Sequence, residues 1–203
     1  MKLYDHPLAP NPRRVRVFLA EKGIEIPRIT VDIMKGEQRS PQFTALNPRQ
    51  AVPVLELDDG TVIAESIAIC RYFEELRPEP PLFGCSTLER AHVEMWQRRI
   101  ELGLMATIGH FFRHSHPLMA KVEVPQIASW AEANRARALK FVPTLERQLA
   151  DKPFVCGENF TVADITGLVA LDFMKFADIP LPDESPHVRR WHERLAARPS
   201  ASA

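Results

Sequence analysis

Three groups of residues in this chain carry types and spacings that can do chemistry. The first is Glu65-Ser66, an acid beside a hydroxyl, directly before the apolar run IAI. A helix start presents unbonded backbone N–H groups and the positive end of the dipole, which suits a ligand carboxylate. An ordinary helix cap has the same composition. The second is Val52-Pro53, at the head of the run VPVLEL. A proline gives a strand no donor, so it belongs at an edge or a start. It reads equally as an edge-strand proline or as a place where the backbone turns outward to a ligand. The third is HFFRHSHP, residues 110–117, which gathers His110, His114, Ser115 and His116 at one helix end. His110 and His114 share a face at i, i+4. That spacing can hold a metal, but no third ligand accompanies it, so no metal is expected.

Two other groups invite a chemical reading and receive a structural one. The cysteines, at 70, 85 and 156, are odd in number, widely spaced and without a C-x-x-C pair. They suggest neither zinc nor a dithiol centre, and read as reduced and structural. Asp164, in Thr161-Val162-Ala163-Asp164, has the spacing of a capping box, with Phe160 and Ile165 placed as a hydrophobic staple.

The elements that must position these groups follow from pattern. Leu3 and Tyr4 read as a short first strand. Asn11-Pro12 reads as cap and first residue of a helix with Val15, Phe18 and Leu19 inward, ended by Gly23. Alternating Ile29, Val31 and Ile33 predict a strand over 27–33. Ser40-Pro41 opens a helix by the same logic. Strands over 52–57 and 61–63 flank Asp58-Asp59-Gly60 as a hairpin. A helix runs from Glu65 or Ser66 to Leu76, giving the order β-α-β-α-β-β-α. Then comes RPEPPLFG, residues 77–84, proline-rich and without period, the expected linker. Beyond it the pattern is helical only. Ser86 to Glu89 is a capping box whose helix can reach about His116. A second long helix over 127–149 contains Pro143, and Ser185-Pro186 opens a last helix burying Val188, Trp191 and Leu195.

Composition bounds the rest. The 203 residues suffice for one large domain or two small ones, and the formal net charge is zero. No basic surplus points to nucleic acid, and no apolar run approaches a membrane span or a signal segment. A cytoplasmic location is the expectation.

Taken together, LYDHPLAPNPRRVRVFLAEKGI, ALNPRQAVPVLEL, TVIAESIAICRYFEE, FTVADI and PHVRRWHERLAARP resemble the cytosolic glutathione transferase family over nearly the whole chain. The N-P-R-R-V-R form and the helix RAHVEMWQRRIELGL look most like bacterial relatives of a fungal-type class. The resemblance implies an α/β thioredoxin-like domain over 1–76, a linker over 77–84 and an all-α helical bundle over 85–203. It implies a homodimer whose co-substrate is glutathione and whose second substrate is a hydrophobic electrophile.

Residue by residue, the resemblance implies a cis Val52–Pro53 bond, with Val52 pairing to the cysteinyl backbone of glutathione. Ser66 and Glu65 meet its γ-glutamyl end. Arg39, Gln38 and Gln50 are secondary contacts. Gln50-Ala51 stand where the family usually has Gly then Gln or Lys. A free thiol has a pKa of ~8.5, and lowering it by two units takes about 2.7 kcal/mol of thiolate stabilisation. The family places a Tyr, Ser or Cys near the end of the first strand for this; residues 5–13, DHPLAPNPR, hold none. Asn11 occupies the serine place and is the expected donor, with Arg14 raising the local positive potential. The other source is a water held by His114 and Ser115. Leu8, Ala9, Met105, Ile108, Phe111 and Phe112 are the expected walls of an electrophile pocket between domains. Competing readings are a non-catalytic binding or regulatory protein on the same scaffold, and a glutathione-dependent isomerase or peroxidase.

Overall fold

Four short strands make one sheet in the order β2-β1-β3-β4. They are β1 (Lys2–Asp5), β2 (Arg28–Thr30), β3 (Val54–Glu56) and β4 (Val62–Ala64). β1 is parallel to β2 and antiparallel to β3, and β3 pairs antiparallel with β4. Leu3, Val54 and Leu55 are fully buried, as central positions of a covered sheet should be. Three helices accompany the sheet: α1 (Pro10–Glu21), α2 (Pro41–Leu46) and α3 (Ser66–Leu76). The computed structural model describes all 203 residues. They divide into one unit of Met1–Leu82 with Ser202–Ala203 and a second of Phe83–Ala201.

The hairpin turn lies where the Asp-Asp-Gly signal puts it, and Ser40 caps α2 by accepting from the Phe43 N–H at 3.2 Å. Two expectations need correction. β2 is confined to residues 28–30 and all three are exposed; Ile29 is 42% accessible, and only Val31 beyond it is buried. Its alternation reflects an edge strand with one turned-in residue rather than a long ladder. The start of α1 is the other. Its cap is Ala9 and it begins at Pro10, which places Asn11 inside the first turn rather than at the cap.

The proline-rich stretch after α3 is tied down by a lysine that carries no local signal of burial. Lys22, whose side chain is wholly buried, donates to the backbone carbonyls of Arg77, Pro78 and Pro80 and pairs with Glu74. Three carbonyls and a carboxylate offset the cost of burying the ammonium.

The second unit is helical: α4 (Thr87–Ile100), α5 (Ala106–Ser115), α6 (Ala128–Gln148), α7 (Val162–Phe176) and α8 (Pro186–Ala196). Its core gathers Trp96, Ile100, Leu104, Ile108, Val142, Leu145, Leu168 and Trp191 among others. The expected single helix from 87 to 116 is interrupted by a π-helical turn over Glu101–Met105. There Gly103 lies under the Phe141 ring, and Thr107 Oγ1 donates to the displaced carbonyls of Gly103 and Leu104. Such turns persist where neighbours satisfy the freed groups. α6 contains Pro143, and α8 buries Val188, Trp191 and Leu195 as the pattern predicts.

α7 is the buried centre. Asp164 is fully buried and accepts four hydrogen bonds: Thr161 N and Oγ1 on Oδ2, Val155 N and Trp191 Nε1 on Oδ1. It therefore joins three segments, which is more than a local cap does. Burial pushes its carboxyl up to about 6, against the pull of those donors. α8 receives its cap from elsewhere: the Glu146 carboxylate on α6 accepts from the backbone N–H groups of His187 and Val188.

Candidate functional site

The register of the hairpin assembles the first part of the site. Val54 pairs with Ala64, so extending the antiparallel ladder by two residues puts Val52 opposite Ser66. Val52 therefore lies past the last sheet pair, and its peptide bond to Pro53 is cis, as the resemblance implies. Ser66 is the first residue of α3 and is buried. Glu65 before it has φ 71° and ψ 120°. A non-glycine residue at positive φ costs about 1–3 kcal/mol and persists where the surroundings, or a function, impose it. Its exposed carboxylate lies 3.4 Å from Arg49 Nε, a solvated pair of small energetic weight.

The loop leading into Val52 is shaped by Asn47, which the sequence reading missed. Asn47 is buried, donates from Nδ2 to the Ala51 carbonyl at 2.8 Å and accepts from the Arg49 N–H at 3.1 Å. The signal was present: Asn before Pro is a turn former whose side chain bonds the backbone ahead of it. Gln50 sits in this loop at φ 53° and spends its amide on Thr44 Oγ1. Arg39 is exposed at the end of the 3-10 turn Glu37–Arg39, and Gln38 beside it is buried.

The end of β1 is held by another pair that no local pattern announces. Arg16 on α1 donates to Asp5 Oδ1 at 2.7 Å and to the carbonyls of His6 and Pro7. Both ion-pair partners are buried, so the loop that follows is fixed from beneath. Leu8 above it is 85% exposed and Ala9 half-buried.

Asn11 stands out at the start of α1. The first helical turn has three backbone positions whose N–H has no partner within the helix. Here two of them are Pro10 and Pro12, which have no N–H, and the first intrahelical bond is Arg13 N to Ala9 O. The Asn11 N–H is the donor that remains. The Asn11 side-chain oxygen accepts from Arg14 at 2.9 Å, which turns its NH₂ the other way. Asn11 thus offers backbone and side-chain donors at the positive end of a helix, above a buried guanidinium.

His114 and Ser115 are adjacent in sequence but serve different partners. His114 Nδ1 accepts from the Ile127 N–H at 3.2 Å, at the start of α6, and Ser115 Oγ donates to the Phe111 carbonyl at 2.7 Å. His110 packs edge-on against Trp130. The expected pocket walls also need correction. Ile108 is fully buried in the core of its unit and presents no surface to a ligand; Met105 and Phe112 retain only slivers, and Phe111 is half-buried.

Comparison with known proteins identifies the arrangement. Residues 9–76 match the profile of the glutathione S-transferase N-terminal domain and residues 96–199 that of the C-terminal domain. Glutathione S-transferase 2 of Saccharomyces cerevisiae is 38% identical over 98% of this chain and 87% of its own length. The chain belongs to the glutathione S-transferase family. A glutathione S-transferase domain-containing protein of Marinobacter aquaeolei superposes with a TM-score of 0.95 at 42% identity, covering 98% of this chain and 99% of that one. The maleylacetoacetate isomerase of Pseudomonas aeruginosa is 29% identical over 98% of this chain and 93% of its own length. The fold is that of the glutathione transferases.

Tyr4 donates its hydroxyl to Glu56 at 2.7 Å, and burial together with that carboxylate holds its pKa above the usual range. The thiols of Cys70 and Cys156 are pushed up to about 12, chiefly by burial. Cys85 is exposed, in the turn before α4. No helix is long and apolar enough to cross a membrane.

Proposed function

We propose that this protein conjugates the thiolate of glutathione to hydrophobic electrophiles, in the cytoplasm and as a homodimer. The observation that carries the reading is the alignment of Val52 and Ser66 across the head of the hairpin, with Glu65 held at positive φ between strand and helix. A peptide-like ligand laid there pairs its cysteinyl backbone with Val52. Its γ-glutamyl carboxylate meets the start of α3 through Ser66, and Glu65 meets its amino group. Arg39 and Gln50 are the contacts for the glycyl end and the neighbouring backbone. The sulfur then lies toward Asn11, whose two donors stabilise the thiolate. His114, whose Nδ1 accepts from Ile127, and Ser115, whose hydroxyl donates to Phe111, are the weaker source. Leu8 and Ala9 supply apolar contact to the electrophile.

A second reading is supported by one feature, the lack of a Tyr, Ser or Cys at residues 5–13. On that reading the fold binds glutathione without turning it over. Calorimetric titration with glutathione, followed by turnover of a chloronitrobenzene-type electrophile, separates the two. Binding with turnover is the expected result. Binding alone favours the second reading, and no binding removes both.

A further inference from the structure

Between β1 and the first turn of α1 the chain reads His6-Pro7-Leu8-Ala9-Pro10-Asn11-Pro12. Its prolines carry no N–H, so the backbone donors that follow His6 are those of Leu8, Ala9 and Asn11. The first two end on His6. Ala9 N donates to the His6 carbonyl at 3.1 Å, closing a turn with Pro7 at its second position. Leu8 N donates to His6 Nδ1 at 3.3 Å. The Asn11 N–H is left to meet a ligand.

His6 is only 9% exposed, and its carbonyl also accepts from Arg16 at 3.3 Å. The turn is thus anchored on α1 and completed by its own first side chain. A backbone N–H can only donate, so Nδ1 carries no proton in this bond and the ring hydrogen sits on Nε2. A side-chain acceptor bonded to the N–H two residues on is the device of an Asx turn, ordinarily supplied by Asn or Asp. Here an imidazole supplies it.

We propose that His6 is a positioning residue for the conjugation reaction. By taking the Leu8 N–H, its Nδ1 fixes the turn that carries Leu8 and Ala9 toward the electrophile. The same turn sets the direction in which α1 starts, and so the place where Asn11 meets the sulfur. Without that acceptor the Leu8 N–H is a second loose donor, and the segment 7–10 can swing out to satisfy it with water. The inference rests on the conjugation reading and adds to it a residue that acts through its neighbours.

The test compares His6→Ala, His6→Phe and His6→Asn with the parent. Phe keeps a ring and loses the acceptor; Asn keeps an acceptor suited to the same turn. Turnover of glutathione with a chloronitrobenzene-type electrophile should fall by roughly tenfold or more in His6→Ala and His6→Phe, because small misplacements of reacting groups are costly. His6→Asn should recover most of that loss. The thiol of bound glutathione, titrated by thiolate absorbance, should rise in pKa in the first two variants and return toward the parent in His6→Asn. S-methylglutathione, which has no thiol to ionise, should bind parent and variants alike in calorimetry, since Val52 and Ser66 are untouched. Should His6→Ala fail to fold, His6→Phe against His6→Asn still decides. Parental turnover in His6→Phe, or equal losses in His6→Phe and His6→Asn, would overturn the inference and leave the conjugation reading standing. A parent that binds S-methylglutathione but turns nothing over removes both.

Discussion

The Arg14 guanidinium donates to the side-chain oxygen of Asn11 at 2.9 Å, and this bond decides which way the Asn11 amide faces. With the oxygen held, the NH₂ group is the end available to an anion. Asn11→Ala should raise the thiol pKa of bound glutathione by about one unit, equivalent to ~1.4 kcal/mol of lost thiolate stabilisation. Arg14→Ala should move it in the same direction by freeing the amide to flip. The ultraviolet absorbance of the thiolate, followed against pH in the binary complex, measures both. An unmoved titration in Asn11→Ala, with a shift in His114→Ala, would transfer the role to the helical part.

Glu65 should show opposed effects on stability and binding. Glu65→Gly relieves the positive φ and should stabilise the fold by about 1 kcal/mol. The same change should weaken glutathione binding by at least roughly tenfold, through loss of a charge-assisted contact. Chemical denaturation and calorimetry on one preparation test the two halves. A variant with lower stability and full affinity would show Glu65 to be structural.

Asp164 should be among the most sensitive positions for folding. Asp164→Ala strands four donors in the interior, and loss of a buried charged partner typically costs about 3–5 kcal/mol. Its titration also gives a pH dependence. The folded pKa, about 6, lies above the unfolded value of roughly 3.9, so the folded chain holds the proton between them. This group's contribution is therefore largest below about pH 4 and is lost as the pH rises through about 6. Urea midpoints measured between pH 4.5 and 7.5 should fall with rising pH over this window. Carboxylates with lowered pKa, such as Glu56 and Glu89, act with the opposite sign and at lower pH.

Gly167→Ala should destabilise by about 1–3 kcal/mol. A methyl group there collides with the six-membered ring of Trp191, which is fixed on its other side by the Asp164 hydrogen bond. The double variant Gly167→Ala with Trp191→Phe should recover part of the loss in thermal melts, since the smaller ring makes room.

Local signals were legible in the sequence wherever the deciding partner is a few residues away. The hairpin, the Ser40 cap, the Ser86 capping box and the inward face of α8 are all of this kind. Partners from afar escaped it. Lys22 and Arg16 carry no local signal of burial, because nothing beside them predicts the carbonyls and carboxylates that hold them. The π-helical turn sits where Phe141 of α6 packs over Gly103, a contact between separate helices. Asn11 was misplaced by one feature: prolines on both sides of it each qualify as a first helical residue, and only the backbone shows that Pro10 is the one. Among the residues proposed for the site, the cis Val52–Pro53 bond and Ser66 at the start of α3 agree with what the resemblance implies, while Asn47, which shapes the loop before Val52, carries its signal only through its own turn.

The settings of Cys70, which is buried, and Cys156, which is half-buried, have a bearing on durability. With the pKa pushed up to about 12, both thiols stay protonated at neutral pH and are poor nucleophiles. On the proposed function, the protein works among electrophiles that can also modify its own thiols. Of the three cysteines, Cys70 and Cys156 are held toward the protonated thiol, and Cys85, in the turn before α4, is the exposed one.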